Sequence, residues 1–243
     1  MMTIEAYDMH YKTLNEKVKK TKDKKVVIDK CFGQRFIGAA SSGKEITING
    51  TPGNALGCYL DGSDIIVNGN TQDATGDTMN DGRIIVYGNC GDATGYGMRG
   101  GEIYIHGNSG YRSGIHMKSY QDKMPVVVIG GSAGSFLGEY QAGGLIIVLG
   151  MNTDSDSIVG NFCGTGMHGG KIFLRCKKET LPKSMPAQVV ARTAEEKDLK
   201  DISAYIDKYA KFFNEDKKDI LSGDFVVIEP NTANPYKKLY THV

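Results

Sequence analysis

Asp73 and Asp92 are the two residues that spacing best equips for chemistry. They stand 19 residues apart in matching contexts, Asp-Ala-Thr-Gly at 73–76 and again at 92–95. If equivalent positions stack, their carboxyls lie roughly 5 Å apart. At that separation one carboxyl can act as the acid and the other as the nucleophile of a retaining glycosidase, or the two can hold a cation. The structural alternative weighs more: turn aspartates accept hydrogen bonds from nearby backbone amides, and Arg112, in a neighbouring register, would neutralise them.

Other sources of chemistry fall away on inspection. Residues 126–134, Val-Val-Val-Ile-Gly-Gly-Ser-Ala-Gly, resemble a strand running into a dinucleotide loop. That loop requires a second glycine where Ser132 stands and a helix whose N-terminus holds the pyrophosphate, and the next strand-like run begins by Leu145 instead. Histidines 10, 106, 116, 168 and 242 lack paired zinc-ligand spacing. Cysteines 31, 58, 90, 163 and 176 form no C-x-x-C pair and no iron–sulfur spacing; reduced, mostly buried thiols in a cytoplasmic protein fit them best. No G-x-S-x-G elbow and no phosphate-binding P-loop occurs. The reading is therefore of a chain with no catalytic, cofactor-binding or metal-ligating residues.

The elements that carry these residues are repeats. Short apolar runs end at Gly50, Gly69, Gly88, Gly107, Gly130 and Gly150, with 19 residues between each of the first four and intervals of 23 and 20 thereafter. A second glycine series runs Gly57, Gly76, Gly95, Gly114, Gly138 and Gly164. Four and two residues before each marker stand pairs such as Ile46/Ile48, Ile65/Val67, Ile84/Val86, Ile103/Ile105, Val126/Val128 and Ile146/Val148, the alternation of a strand with one buried face. Leu60, Met79, Met98, Met117 and Met167 follow the second glycines by three residues and suit a narrow interior. Ala55, Ala74 and Ala93 mark an inward bend of the wall, and Asn70, Asn89 and Asn108 read as turn residues bonded to their stacked neighbours. Repetition near 20 residues predicts an all-β solenoid, a parallel β-helix of about seven coils.

Around that block, residues 1–32 read as an N-terminal cap, with a helix over 11–20 and a strand at 26–28. Residues 33–176 form the repeats, and residues 177–243 a C-terminal helix and tail packing on them. Thr193-Ala194-Glu195-Glu196 has the form of a capping box, and Leu199, Ile202, Ile206, Tyr209 and Phe213 make one apolar stripe. A strand-like run at 225–228 precedes the tail. The positions three and one before each marker become apolar toward the C-terminal half, from Thr47/Asn49 to Val127/Ile129 and Ile147/Leu149. Apolar surface of that extent is normally covered, by the 199–213 helix or by a partner. Insertions at 116–124 and 153–157 read as surface loops. Lys+Arg 29 against Asp+Glu 28 gives no charge signal for nucleic acid or acidic lipid, and no apolar run has membrane-spanning length.

The series Gly-Asn-x-x-Asp-Ala-Thr-Gly at 69–76 and Gly-Asn-x-x-Asp-Ala-Thr-Gly at 88–95, with Gly-Gly-x-Ile at 100–103 and 169–172, resembles the GXGXG domain that closes the large subunit of glutamate synthase. Gly33-Gln34-Arg35-Phe36-Ile37-Gly38 is similar to the family's entry segment, and Asn234-Pro235-Tyr236-Lys237 to its ending. One of the subunits of formylmethanofuran dehydrogenase shares the same kind of repeat. The resemblance implies a right-handed β-helix with a structural, docking role and no catalytic residue of its own. It implies separate partner subunits: an amidotransferase that hydrolyses glutamine, and a synthase carrying FMN and an iron–sulfur cluster that makes glutamate from 2-oxoglutarate. Docking is expected through the outer wall and the loops near 118–123 and 153–157. A homo-oligomer is compatible with this reading. The rival readings are a scaffold subunit of a formylmethanofuran dehydrogenase-like enzyme and a carbohydrate-active enzyme using Asp73 and Asp92.

Overall fold

A computed structural model describes residues 1–151, 153 and 157–231. The strands are β1 (Met2–Glu5), β2 (Lys25–Phe32), β3 (Glu45–Thr51), β4 (Asp61–Asn68), β5 (Asp81–Val86), β6 (Glu102–Ile105), β7 (Val126–Ile129), β8 (Ala142–Val148), β9 (Gly169–Leu174), β10 (Val189–Thr193) and β11 (Val226–Pro230). They form one open sheet in the order β1-β2-β3-β4-β5-β6-β7-β8-β9-β11-β10. Pairing is parallel from β1 to β9; β11 then runs antiparallel to β9, and β10 antiparallel to β11. Among the described residues three α-helices accompany the sheet, α1 (Tyr11–Lys20), α2 (Glu196–Phe213) and α3 (Lys217–Ser222), with a short 3-10 helix at Lys178–Thr180.

This corrects the expected fold class. The chain is not the all-β solenoid, the right-handed parallel β-helix of about seven coils, that its period suggested; it is a mostly parallel, open eleven-stranded sheet with a few helices, an α/β arrangement. The physical reason is that a 19-residue period reports only in-register stacking of successive strands. Parallel neighbours joined by connections of about a dozen residues satisfy it equally. The sheet also extends beyond the repeats at both ends, through β1 and β2 and through the antiparallel β11 and β10.

Strand register follows the apolar alternation. Ile46 stacks on Ile65, Ile65 on Ile84, and Ile84 on Ile103. These side chains face a core shared with residues of the connections, including Ile37, Leu56, Leu60, Met79, Met98, Met117 and Leu137. At β7 the sequence reading slips by one. Ile103 pairs with Val127 and Ile105 with Ile129, so Val127 and Ile129 face this core and Val126 and Val128 face the other side. The true marker is Gly131, whose amide bonds to Gly107 and whose carbonyl accepts from Gly150, giving intervals of 24 and 19. Two adjacent glycines and four continuous apolar residues concealed the phase, and a one-residue slip exchanges the two faces of a strand.

The opposite face is covered by α2 and α3. Ile85, Tyr104, Val126, Val128, Ile147, Leu149 and Phe173 pack with Ile202, Ile206, Tyr209, Phe213 and Ile220. The start of α2 differs from the sequence reading. Thr193 ends β10, and Glu195 is the N-cap, in a capping box completed by Asp198. Asp198 is fully buried, accepting from the Glu195 amide at 2.8 Å and from both terminal nitrogens of Arg192 at 2.6 and 2.9 Å. Strands β1 and β10 and helix α3 carried no signal strong enough to be read. Among the described residues no helix is long and apolar enough to cross a membrane.

Candidate docking face

The connections between strands repeat one backbone pattern. In each of seven, three left-handed residues alternate: 36/38/40, 55/57/59, 74/76/78, 93/95/97, 112/114/116, 136/138/140 and 162/164/166. The central residue is glycine every time, with φ from +63° to +75°. Its missing side chain would point into the core: a Cβ on Gly76 would lie 2.4 Å from Ile103 Cδ1, and one on Gly57 2.7 Å from Ile84 Cδ1. Most of the flanking residues are exposed or half-buried, Ala55 and Gly166 being the buried ones, and they tolerate side chains at the same dihedral cost. Ala55, Ala74 and Ala93 belong to this left-handed series (φ +60°, +58° and +55°).

The strand-end glycines answer to a different constraint. Asn70 Oδ1 accepts from the Asn89 amide at 2.8 Å, Asn89 Oδ1 from Asn108 at 2.7 Å, and Asn108 Oδ1 from Ser132 at 2.8 Å. A Cβ on Gly88 or Gly107 would stand 2.3 Å from the asparagine oxygen of the preceding repeat. At Gly88 and Gly107 close approach, not φ, selects glycine, whereas Gly50 and Gly150 also carry a positive φ (+125° and +60°).

Asp73 and Asp92 join a parallel ladder. Asp73 Oδ1 accepts from the Asp92 amide at 2.9 Å, and Asp92 Oδ1 from the Tyr111 amide at 2.8 Å. Each carboxylate therefore fixes the backbone of the next connection, a structural task. Arg112 does not neutralise them as expected. Its guanidinium lies 4.8 Å from the Phe136 ring centroid and 3.3 Å from Glu139. Among the described residues no three His, Cys, Asp or Glu side chains gather as metal ligands. The five thiols are free, and burial pushes Cys31 up to about 11 and Cys90 and Cys163 up to about 12, away from nucleophilic character.

The arrangement presents instead an exposed aromatic surface. Tyr96 meets His116 edge-on with centroids 5.8 Å apart, and His116 stacks on Tyr140 at 5.2 Å. Phe136 stacks on Phe162 at 5.1 Å beneath Arg112. Tyr59, Tyr111 and Phe162 are 55%, 55% and 46% exposed. The eight-residue blocks 34–41, 53–60, 72–79, 91–98, 110–117, 134–141 and 160–167, which build these turns, contain no lysine in an otherwise lysine-rich chain. Aromatic and arginine enrichment with lysine depletion is the composition of protein–protein interface cores. Sequence reading missed this face because it followed the glycines; the lysine-free blocks were the available signal.

The expected docking regions fare differently. The apolar outer wall is already occupied by α2 and α3. In the 116–124 loop, Lys123 is held 3.1 Å from Asp81 and 3.6 Å from Asp61, so its charge ties the loop to the sheet. The 153–157 loop and the 234–237 tail lie largely or wholly outside the described residues.

Comparison with known proteins places these repeats. The family model described as "GXGXG motif" matches residues 15–231. An uncharacterized protein of Methanocaldococcus jannaschii is 45% identical over 253 aligned positions, covering 99% of this chain and 96% of that one. A chain of the formyltransferase/hydrolase complex (FhcABCD) from Methylorubrum extorquens, whose crystal structure contains methylofuran, aligns with TM-score 0.60 at 20% identity, over 85% of this chain and 73% of that one. The last likeness is one of fold alone.

Proposed function

The chain belongs to the GXGXG motif family, and on that footing we propose that it is a non-catalytic docking subunit of an oxidoreductase-type complex of the glutamate synthase kind. Its partners are an amidotransferase subunit that releases ammonia from glutamine and a synthase subunit that carries FMN and an iron–sulfur cluster and converts 2-oxoglutarate to glutamate. The single observation that carries the docking role is the exposed aromatic turn face, built on a rigid ladder and free of lysine. Large rigid aromatics that sit exposed in the free subunit become the anchors of an interface when a partner covers them. This face replaces the outer wall as the surface offered to partners, because α2 already occupies that wall.

A tagged copy purified from the native host at near-endogenous level tests the reading. The proposal expects an amidotransferase and a flavin-containing subunit to co-elute, with glutamine-plus-2-oxoglutarate turnover in the eluate. Loss of both subunits in a Tyr140→Ser, Phe162→Ser variant that melts like the parent would assign the contact to this face. A colourless, partner-free eluate under gentle lysis would overturn the proposal. The fold likeness to a chain of the formyltransferase/hydrolase complex favours a second reading, a scaffold in a formylmethanofuran dehydrogenase-like assembly. Co-elution of a pterin-containing dehydrogenase would select it.

A further inference from the structure

The sheet is open, and its two ends are not alike. At β1 the edge is guarded by charge: Glu5 pairs with Lys30 at 2.7 Å, and the N-terminal ammonium with Asp23 at 3.0 Å. Charged side chains on a short strand are an ordinary defence of an edge. Strand β10, Val-Val-Ala-Arg-Thr, has no comparable guard. Its one charge, Arg192, is turned to Asp198 and Glu229, and Val190 is left 49% exposed.

Register fixes which backbone groups face the open side. Asn231 donates to the Gln188 carbonyl and Ala194 to the Phe225 carbonyl, so the pairs that share β10–β11 hydrogen bonds are 188:231, 190:229, 192:227 and 194:225. In an antiparallel ladder the alternate residues point their amides and carbonyls the other way. Those are Val189, Ala191 and Thr193. The Val189 amide is taken by the Pro186 carbonyl, and the Thr193 carbonyl accepts from Arg192 Nη1 at 3.5 Å, leaving both backbone groups of Ala191 and the amide of Thr193 directed at an edge beyond which no strand lies among the described residues.

The segment leading into this edge is basic. Lys177, Lys178 and Lys183 are exposed, and no carboxylate among the described residues stands within ion-pair distance of them, whereas Lys171, Lys197, Lys200 and Lys208 are all paired. A second copy of this chain would bring the same three lysines against themselves. An acidic strand would meet them with opposite charge, and added strands gain affinity from main-chain bonds and selectivity from flanking side chains.

We infer that the free edge of β10 takes up an extended, acidic segment of another subunit as a further strand of the sheet, bonded to Ala191 and Thr193 and flanked by Lys177, Lys178 and Lys183. The inference rests on the docking reading and adds a second, backbone-mediated contact beside the Phe162 end of the aromatic face, where Ser184 donates to Asn161 at 2.8 Å and a Cβ on Gly164 would stand 3.0 Å from Val189.

Hydrogen exchange of the free protein and of the native assembly, resolved to single amides, tests it. Ala191 and Thr193 are expected to exchange at least about tenfold more slowly in the assembly, with the β11 amides of Val227 and Glu229 little changed. Ala191→Pro removes an outward amide that β11 does not use, and a Lys177→Glu, Lys178→Glu, Lys183→Glu variant reverses the charge. Both are expected to keep the parent's melting temperature and to lose at least about tenfold in retention of the assembly. An intact assembly in which residues 191 and 193 exchange as in the free chain overturns this inference alone. Absence of any assembly overturns the docking reading and this one with it. Protection already present in the free chain, lost on deleting residues 232–243 or on dilution of a dimer, assigns the edge to the chain's own tail or to a second copy and overturns it as well.

Discussion

At Ala74 and Gly76 the backbone adopts the same left-handed conformation two residues apart, and opposite consequences follow from where each side chain points. Gly76→Ala drives a Cβ to within 2.4 Å of Ile103 Cδ1 at φ +71°, and is expected to cost about 2–4 kcal/mol through combined strain and overpacking. Ala74→Gly relieves the dihedral without emptying core volume and is expected to be neutral, or stabilising by up to about 1 kcal/mol. Gly95→Ala is expected to fall between the two, because its neighbours are Met98 Sδ and Val127 Cγ2 at 3.1 Å, and methionine yields. Urea denaturation of the three variants checks the order. The second-glycine series was legible because a repeated glycine at one register marks a place where no side chain fits. The outward left-handed positions were not, since Phe, Arg, Tyr and Ala at those sites announce nothing about φ.

Helix α2 is anchored by one buried charge and one apolar stripe. The Arg192 guanidinium, then the Glu195 amide and Lys171, hold the Asp198 carboxyl well below the usual carboxylate range against the opposing effect of burial. The folded form therefore binds that proton less tightly than the unfolded chain. The stabilisation is complete above the unfolded value of about 3.9 and is lost as the pH falls toward the folded one. Asp198→Asn is expected to lower stability by about 2–4 kcal/mol at neutral pH, with the gap to the parent closing below about pH 3; melting curves from pH 2 to 8 read this directly. Ile206→Ala, at a fully buried contact with the sheet, is expected to cost about 2–5 kcal/mol and to raise dye binding by the uncovered face. The stripe from Leu199 to Phe213 could be read from its spacing. The cap could not: Thr193 offered a better-known pattern than the Glu195–Asp198 pair that forms, because Thr193 was already committed to β10.

For the whole molecule, period and alternation disclosed which strands are neighbours and in what register, up to the doubled glycine at 130–131. They did not disclose the architecture, since stacking in register is common to more than one arrangement of parallel strands, nor the antiparallel turn of β10 and β11, which belongs to no repeat. Of the candidate sites, Asp73 and Asp92 accept from backbone amides as the turn reading had them, whereas the aromatic face lay hidden in what the turns lack. The asparagine and aspartate ladders carry one more consequence, for length. Between Asn70 and Tyr111 each unit's side-chain acceptors are matched to the next unit's amides at an offset of 19 residues. Where the offset rises to 24, at Asn108 and Ser132, the extra residues lie in the 116–124 loop, so the ladder itself grows or shrinks by whole units, as a ruler is cut at its graduations. Excising residues 70–88 rejoins Gly69 to Asn89 in phase, and the shortened protein is expected to fold with its maximum dimension reduced by about 4.8 Å in small-angle scattering. Excising 18 residues instead would break every bond across the cut. The separation between any two partners held along this sheet is thus set in discrete steps, one strand spacing at a time.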